Sequence, residues 1–217
     1  MSEAVRQQVV EAAKAMYSKG LVNAFEGNVS SKEDNRVYIT PTATCKSLLT
    51  PDSLAVTDEY GKVAEGCAAR PSSEIKLHLA IYRIRPDVKA VVHTHSVFAT
   101  AYAIANKPIV TEAYPEMILL FDKIPVVPYG TPATDEIYRG IEKYIFDTDV
   151  FLIGNHGVVA VGNSAMDAFY KAESVESMAK TLTIARFLGG EAPIPQESLE
   201  ILYRRRKEKR GKDRVKL

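Results

Sequence analysis

Two histidines, His93 and His95, stand one residue apart in the stretch AVVHTHSVFAT, residues 90 to 100. The stretch reads as a buried strand, and side chains two apart in a strand share a face. Two imidazoles therefore project together from one side of a sheet. Either both rings are packed and hydrogen-bonded there, or they hold something. The chain has 4 histidines in all. A third, His156, stands in the bend GNHG, where flanking glycines let the backbone come close and aim the ring outward. Three histidines are a common ligand set for a catalytic zinc ion, which keeps a further position open. The set of three favours a metal over a pair of satisfied core histidines. The fourth, His78, lies four residues after Glu74 on one helix face. It is left outside the ligand set, as a packed side chain or its neighbour's partner.

Glu74 ends the run PSSE. Ser72 and Ser73 place two hydroxyls at a helix N-terminus, where free N–H groups and the helix dipole favour an anion. EGNVS puts Gly27 and Asn28 at a turn, and TPTA (Thr40, Pro41, Thr42, Ala43) is another loop of small hydroxyl residues. Each is common without a ligand; together they point to an anion corner. Glu74 then has two readings. Near a divalent metal it is placed to take a proton beside a carbonyl. Read locally, it is a first-turn acid that complements the dipole, the simpler of the two.

The elements that must position these residues follow from pattern. An amphipathic helix is expected from about residue 3 to 18, closed by Gly20. GNVSSKEDNRVYITP reads as two short strands around a polar turn, and SLAVTDEYGKVAEG as a second hairpin with Gly61 at its turn. PSSEIKLHLAIYRIRP is a helix capped by Ser72 or Ser73 and ended by Pro86. VKAVVHTHS is a central strand, VFATAYAIA a helix, IPVVPYG a strand and DEIYRGIEKYIF a helix. DVFLIGNHGVVAVG is strand, turn, strand, and a long helix then runs to Gly189 and Gly190. Hairpins mixed with helices predict an α/β/α sandwich around a central, largely antiparallel sheet, without the strict alternation of a doubly wound parallel fold.

At 217 residues, one domain accounts for the chain. We expect a single domain over 1–203 and a basic tail over 204–217. The tail holds nine Lys/Arg and two Asp/Glu, a charge of +7 that leaves the preceding residues at −6, since the whole is +1. Basic tails can bind nucleic acid, but no aromatic residues interleave here and the body is acidic, so a solvated helix end is the simpler reading. No apolar run approaches the ~20 residues of a membrane span. The opening segment reads as an amphipathic helix rather than a signal peptide, and Cys45 and Cys67 form neither a disulfide framework nor a Cys-x-x-Cys pair. A reduced, cytoplasmic protein is expected.

GNVS, TPT, PSSE, HTHS and NHG, in this order, resemble the class II aldolase/adducin family. The resemblance runs from the first helix to about Gly190. It implies a zinc-dependent aldolase, with other divalent ions as substitutes, assembled as a homotetramer with sites at subunit interfaces. It implies reversible cleavage of a ketose 1-phosphate, such as L-fuculose 1-phosphate, into dihydroxyacetone phosphate and an aldehyde. It places the metal on His93, His95 and His156, and makes Glu74 the proton acceptor and donor, and a metal ligand before substrate binds. The phosphate falls to Gly27, Asn28, Thr42, Ala43, Ser72 and Ser73. Tyr114 of a neighbouring subunit becomes the proton donor to the aldehyde oxygen, and Tyr203 a candidate for the aldehyde pocket.

The chain departs from the family's pattern at four places. The phosphate loop reads TPTA where glycine is usual, and an alanine at positive φ is strained relative to glycine. Phe25 and Glu26 precede GNVS where small residues are frequent. TPATD follows PYG where an aromatic is expected, and MILLFDKIP lacks paired glycines. The aldehyde side therefore reads as remodelled. Related aldolases for 5-deoxyribulose or methylthioribulose 1-phosphate, and family epimerases or dehydratases, are the alternatives. Glu in place of the epimerases' Asp favours an aldolase. An adducin-like scaffold is the non-enzymatic alternative, and it has no need of three histidines and Glu74.

Overall fold

The computed structural model describes residues 2–215. Helix α1 (Ser2–Ser18) leads into β1 (Asn28–Glu33), β2 (Arg36–Ile39) and β3 (Ala55–Asp58). Helix α2 (Ile75–Ile84) precedes β4 (Ala90–Thr94), α3 (Val97–Ile104), β5 (Ile109–Val110) and α4 (Pro115–Leu120). Then come β6 (Lys123–Ile124), β7 (Val126–Val127), β8 (Val150–Ile153), β9 (Gly157–Gly162), α5 (Ala165–Phe187) and α6 (Gln196–Val215).

Seven strands form one sheet in the order β3-β2-β1-β4-β9-β8-β7. Every pairing in it is antiparallel except β7 with β8. The period-2 alternation of the central strands splits the core into two layers. Val92, Val158, Ala160, Val150 and Leu152 join the helices α1 and α5 on one face. Val91, Val159, Val161, Phe151 and Ile153 join Leu77 and Ile81 of α2 on the other. Helices thus cover both faces of a largely antiparallel sheet, the expected α/β/α sandwich. β4 lies in the middle with all five residues buried, so a polar side chain there needs a partner.

Four local expectations change. DEIYRGIEKYIF is not one helix but two short 3₁₀ turns, Asp135–Tyr138 and Ile141–Lys143, because Gly140 between them takes a left-handed φ of 81°. SLAVTDEYGKVAEG forms only one named strand, β3, and the returning arm makes a single bridge, Thr57 to Val63. IPVVPYG is shortened to β7, since Pro125 has no N–H to offer a ladder. Neither serine caps α2: Glu74 holds the cap position, and its own N–H is bonded to Ser72 Oγ at 3.3 Å. The helix α6 runs through residue 204, and Arg206 within it is buried and donates to Phe121 O at 2.8 Å. Residues 216 and 217 of the expected basic tail lie outside the described residues.

Candidate metal and acid–base site

His93 stands one residue before the end of β4, paired with Asn28 of β1 on one side and Val159 of β9 on the other. Its parity matches Val91, so its ring faces the α2 layer. His95 follows two residues later, and His156 enters from the bend between β8 and β9. The three rings meet edge to face with centroids 4.8, 4.7 and 4.9 Å apart, and one nitrogen from each lies within 4.8 Å of the others.

Two glycines make that convergence sterically possible. A Cβ on Gly157 would sit 2.8 Å from His95 Cδ2 and 3.1 Å from His93 Cε1. A Cβ on Gly27 would sit 2.7 Å from His93 O, and Gly27 has a φ of +67° that L side chains rarely adopt. Neither position tolerates a side chain without moving the histidines.

His93 Nδ1 donates to Val158 O at 2.8 Å, since a carbonyl only accepts. That fixes the tautomer and leaves Nε2 bare, pointing into the cluster, 2.9 Å from His95 Nε2. Burial, more than any neighbour, pushes the His93 pKa down to about 4 and lowers that of His95. Both rings are neutral at pH 7, the form that binds a metal.

Glu74 reaches the same point from the start of α2. Its Oε1 lies 3.2 Å from His156 Nε2 and its Oε2 3.4 Å from His93 Nε2. Burial alone would raise its pKa, but His93, His156 and the Asn28 amide together outweigh burial and hold it below the usual carboxylate range. Glu74 Oε1 and His156 Nδ1 are buried atoms without an aligned hydrogen bond. Three converging imidazoles and an adjacent carboxylate with one orphaned oxygen are a donor set that fits a divalent cation. His78 is not in this cluster. It lies one turn along α2, bonded to Asn28 and Ser30.

The anion corner is only partly assembled. The loop TPTA is stitched to PSSE by an antiparallel bridge, Pro41 to Pro71, with Thr42 N on Arg70 O at 3.1 Å and Ser72 N on Thr40 O at 3.2 Å. Thr42, Ala43 and Ser72 are thereby held together, with Ser73 next in the chain. Ala43 does take a positive φ, 52°. The Asn28 side-chain amide is bonded to Glu74 and His78. Lys46, which the sequence reading passed over, is buried three residues past Ala43, with its amine on Thr44 O at 3.1 Å.

Tyr114 stands at the start of α4 and packs against the core layer across the sheet from the histidines. Tyr203 Oη meets Glu112 at 3.4 Å. Neither tyrosine joins its own chain's histidine cluster. Glu26 does approach it, 3.9 Å from His95 Nδ1, and the neighbouring Phe25 is 73% exposed.

Residues 7–183 match the family model described as Class II Aldolase and Adducin N-terminal domain. The chain belongs to the class II aldolase/adducin family. A relative named L-fuculose phosphate aldolase from Methanococcus vannielii is 36% identical over 175 residues, 80% of this chain and 93% of that protein. A 5-methylthioribulose-1-phosphate/5-deoxyribulose-1-phosphate aldolase from Escherichia coli is 32% identical, covering 88% and 89% of the two chains. A 3-oxo-tetronate 4-phosphate decarboxylase from Escherichia coli is 30% identical, covering 89% and 91%. A solved structure titled L-fuculose 1-phosphate aldolase superposes with a TM-score of 0.85 at 27% identity, covering 95% and 98%. Class II aldolase/adducin membership, with the three-histidine cluster present, supports an enzyme of the lyase type. No helix among the described residues is long and apolar enough to cross a membrane.

Proposed function

We propose that the chain is a zinc-dependent class II aldolase that reversibly cleaves a ketose 1-phosphate, such as L-fuculose 1-phosphate, into dihydroxyacetone phosphate and a small aldehyde. One observation carries the reading: the Glu74 carboxylate touches two of three converging histidines, at 3.2 and 3.4 Å. That pairs a base with a Lewis-acid site, as proton transfer beside a carbonyl requires.

His93, His95 and His156 would hold the ion, with Glu74 beside them. Bound there, it supplies Lewis-acid polarisation of the ketose oxygens. The chain's own residues do the rest. Ionised Glu74 takes a proton from the carbon next to the carbonyl in the condensing direction and returns it in cleavage. Tyr114 of a neighbouring copy passes a proton to the aldehyde oxygen as the new bond forms. Gly27, Asn28, Thr42, Ala43, Ser72 and Ser73 seat the phosphate, with N–H groups and hydroxyls rather than an ion pair. The working form is a cytoplasmic homotetramer, so that each site borrows its tyrosine.

The aldolases for methylthioribulose or 5-deoxyribulose 1-phosphate form the second reading. Phe25, 73% exposed and adjacent to Glu26 at the cluster, offers an apolar surface to a methyl or thioether tail. Glu26 also sets a carboxylate 3.9 Å from His95, which disfavours a substrate that carries a carboxylate besides its phosphate, as a decarboxylase requires. The test is a cleavage assay on a panel of L-fuculose, L-rhamnulose, D-ribulose, 5-deoxyribulose and methylthioribulose 1-phosphates, with 3-oxo-tetronate 4-phosphate as the decarboxylase probe. Fastest release of dihydroxyacetone phosphate from a ketose 1-phosphate supports the proposal and ranks the aldehydes. Turnover of the oxo acid alone contradicts it.

A further inference from the structure

Glu74, His78 and Tyr82 recur at every fourth position from the cap of α2 onward, and so share a face. Opposite them, Asn28 and Ser30 of β1 alternate onto the same side of the sheet. The five side chains form one unbroken buried path. Tyr82 Oη lies 2.7 Å from Ser30 Oγ, which lies 2.7 Å from His78 Nδ1. His78 Nε2 lies 2.5 Å from Asn28 Oδ1, and Asn28 Nδ2 lies 2.7 Å from Glu74 Oε2.

The direction of every bond follows from the last one. An ionised carboxylate only accepts, so Asn28 turns its amide N–H toward Glu74 and its carbonyl toward His78. A carbonyl also only accepts, so His78 Nε2 carries the proton. Burial holds His78 neutral, its pKa pushed down to about 4, which leaves Nδ1 bare to accept the Ser30 hydroxyl. With its single proton committed, Ser30 accepts from Tyr82, and burial raises the Tyr82 pKa so that the phenol keeps its proton. All the donors run one way and end on Glu74, so each bond polarises the next.

We propose that His78 is a positioning residue for the acid–base carboxylate: it locks the Asn28 amide so that its N–H, and not its carbonyl, faces Glu74. This rests on the proton-transfer role proposed for Glu74. Without the imidazole N–H, Asn28 Oδ1 is buried with no donor, and the amide is anchored only through its N–H on Glu74. The amide can then swing its N–H off the carboxylate, which loses the contact that holds it against His93 and His156. A histidine kept only for packing would serve in either tautomer, whereas this path works in one.

The test follows exchange of the carbon-bound hydrogens of dihydroxyacetone phosphate with heavy water by NMR, on zinc-loaded protein without aldehyde. This isolates the proton transfer from bond cleavage. Bound zinc is measured alongside. His78→Leu should slow exchange about tenfold or more, with zinc content and KM little changed. His78→Gln, whose amide N–H can replace Nε2–H, should recover part of the rate. Ser30→Ala, a milder change that frees the ring to take either tautomer, should slow exchange in the same sense and carries the test if His78→Leu does not fold. Nitrogen NMR of the unaltered protein should find His78 protonated at Nε2 and bare at Nδ1.

Unaltered exchange in His78→Leu or Ser30→Ala, with Glu74→Gln inactive, overturns the positioning role and leaves the Glu74 reading intact. The opposite His78 tautomer also overturns it. If Glu74→Gln exchanges at the unaltered rate, both fall together. If the unaltered protein exchanges nothing, the substrate reading fails, and the tautomer alone then decides this inference.

Discussion

Glu74 Oε1 lies 3.2 Å from His156 Nε2, although the two residues come from opposite halves of the chain. The cap of α2 and the β8–β9 bend meet only because β4 and β9 pair along their length and α2 covers that face of the sheet. The second carboxylate oxygen reaches His93 at the same time. One acid thus touches two of the three candidate ligands, and its chemistry can be separated from theirs by substitution.

Glu74→Gln keeps the size of the side chain and an oxygen to accept from Asn28, but removes the base. Zinc content should stay near that of the unaltered protein while turnover falls by about 10² or more, the usual worth of general acid–base help. Metal analysis and a turnover assay on the same sample check this. Wild-type turnover would remove Glu74 as the base.

His95→Ala and His156→Ala should each lose bound metal and activity together. His95 and His156 are partly exposed, so both variants should still fold, as circular dichroism can verify. A His95 variant that kept its full zinc content would take that residue out of the ligand set.

Ala43 sits at a φ of 52° in the loop proposed to hold phosphate. An L side chain in that region costs about 1–2 kcal/mol, and glycine gives back somewhat less than 1 kcal/mol through its freer unfolded chain. Ala43→Gly should therefore gain up to about 1 kcal/mol, or a few degrees in Tm. Calorimetry reads the shift, and a lower Tm would mean that the loop is not strained at this residue.

His78 gives a pH dependence of definite sign. Its folded pKa is pushed by burial down to about 4, below the ordinary 6.5. Between those values the unfolded chain binds a proton that the folded one refuses. The protein should be most stable above pH 6.5 and lose stability as pH falls toward 4, by about 3 kcal/mol from this residue. Urea melts at pH 7 and pH 4.5 measure the difference. His78→Gln, which does not titrate, should have the flatter profile, and an equally steep one would assign the loss to other groups.

The histidine cluster of the candidate site was legible in the sequence. The histidine pair announced itself because strand parity is short-range: His93 and His95 had to share a face wherever β4 lay. His156 could be added because glycines on both sides mark a close approach, and Gly157 does border the two other rings. What stayed hidden was set by pairing between distant segments. Asn28 faces Glu74 and His78 only because β1 pairs with β4 in a register that puts Asn28 opposite His93. The spacing Glu74, His78, Tyr82 was visible as a helical face, but nothing local said that Ser30 and Asn28 would meet it. Local pattern failed outright at DEIYRGIEKYIF, where the apolar positions suit a helix and one left-handed glycine, Gly140, breaks it. Tyr114 could not be placed from one chain, since it packs on the other face of the sheet from the histidines.

The most direct test of the central claim follows release of dihydroxyacetone phosphate from the best ketose 1-phosphate of the panel, before chelation, after it, and after zinc is restored. Release should disappear with the metal and return with zinc. Release that persists unchanged in fully demetallated protein would contradict that claim.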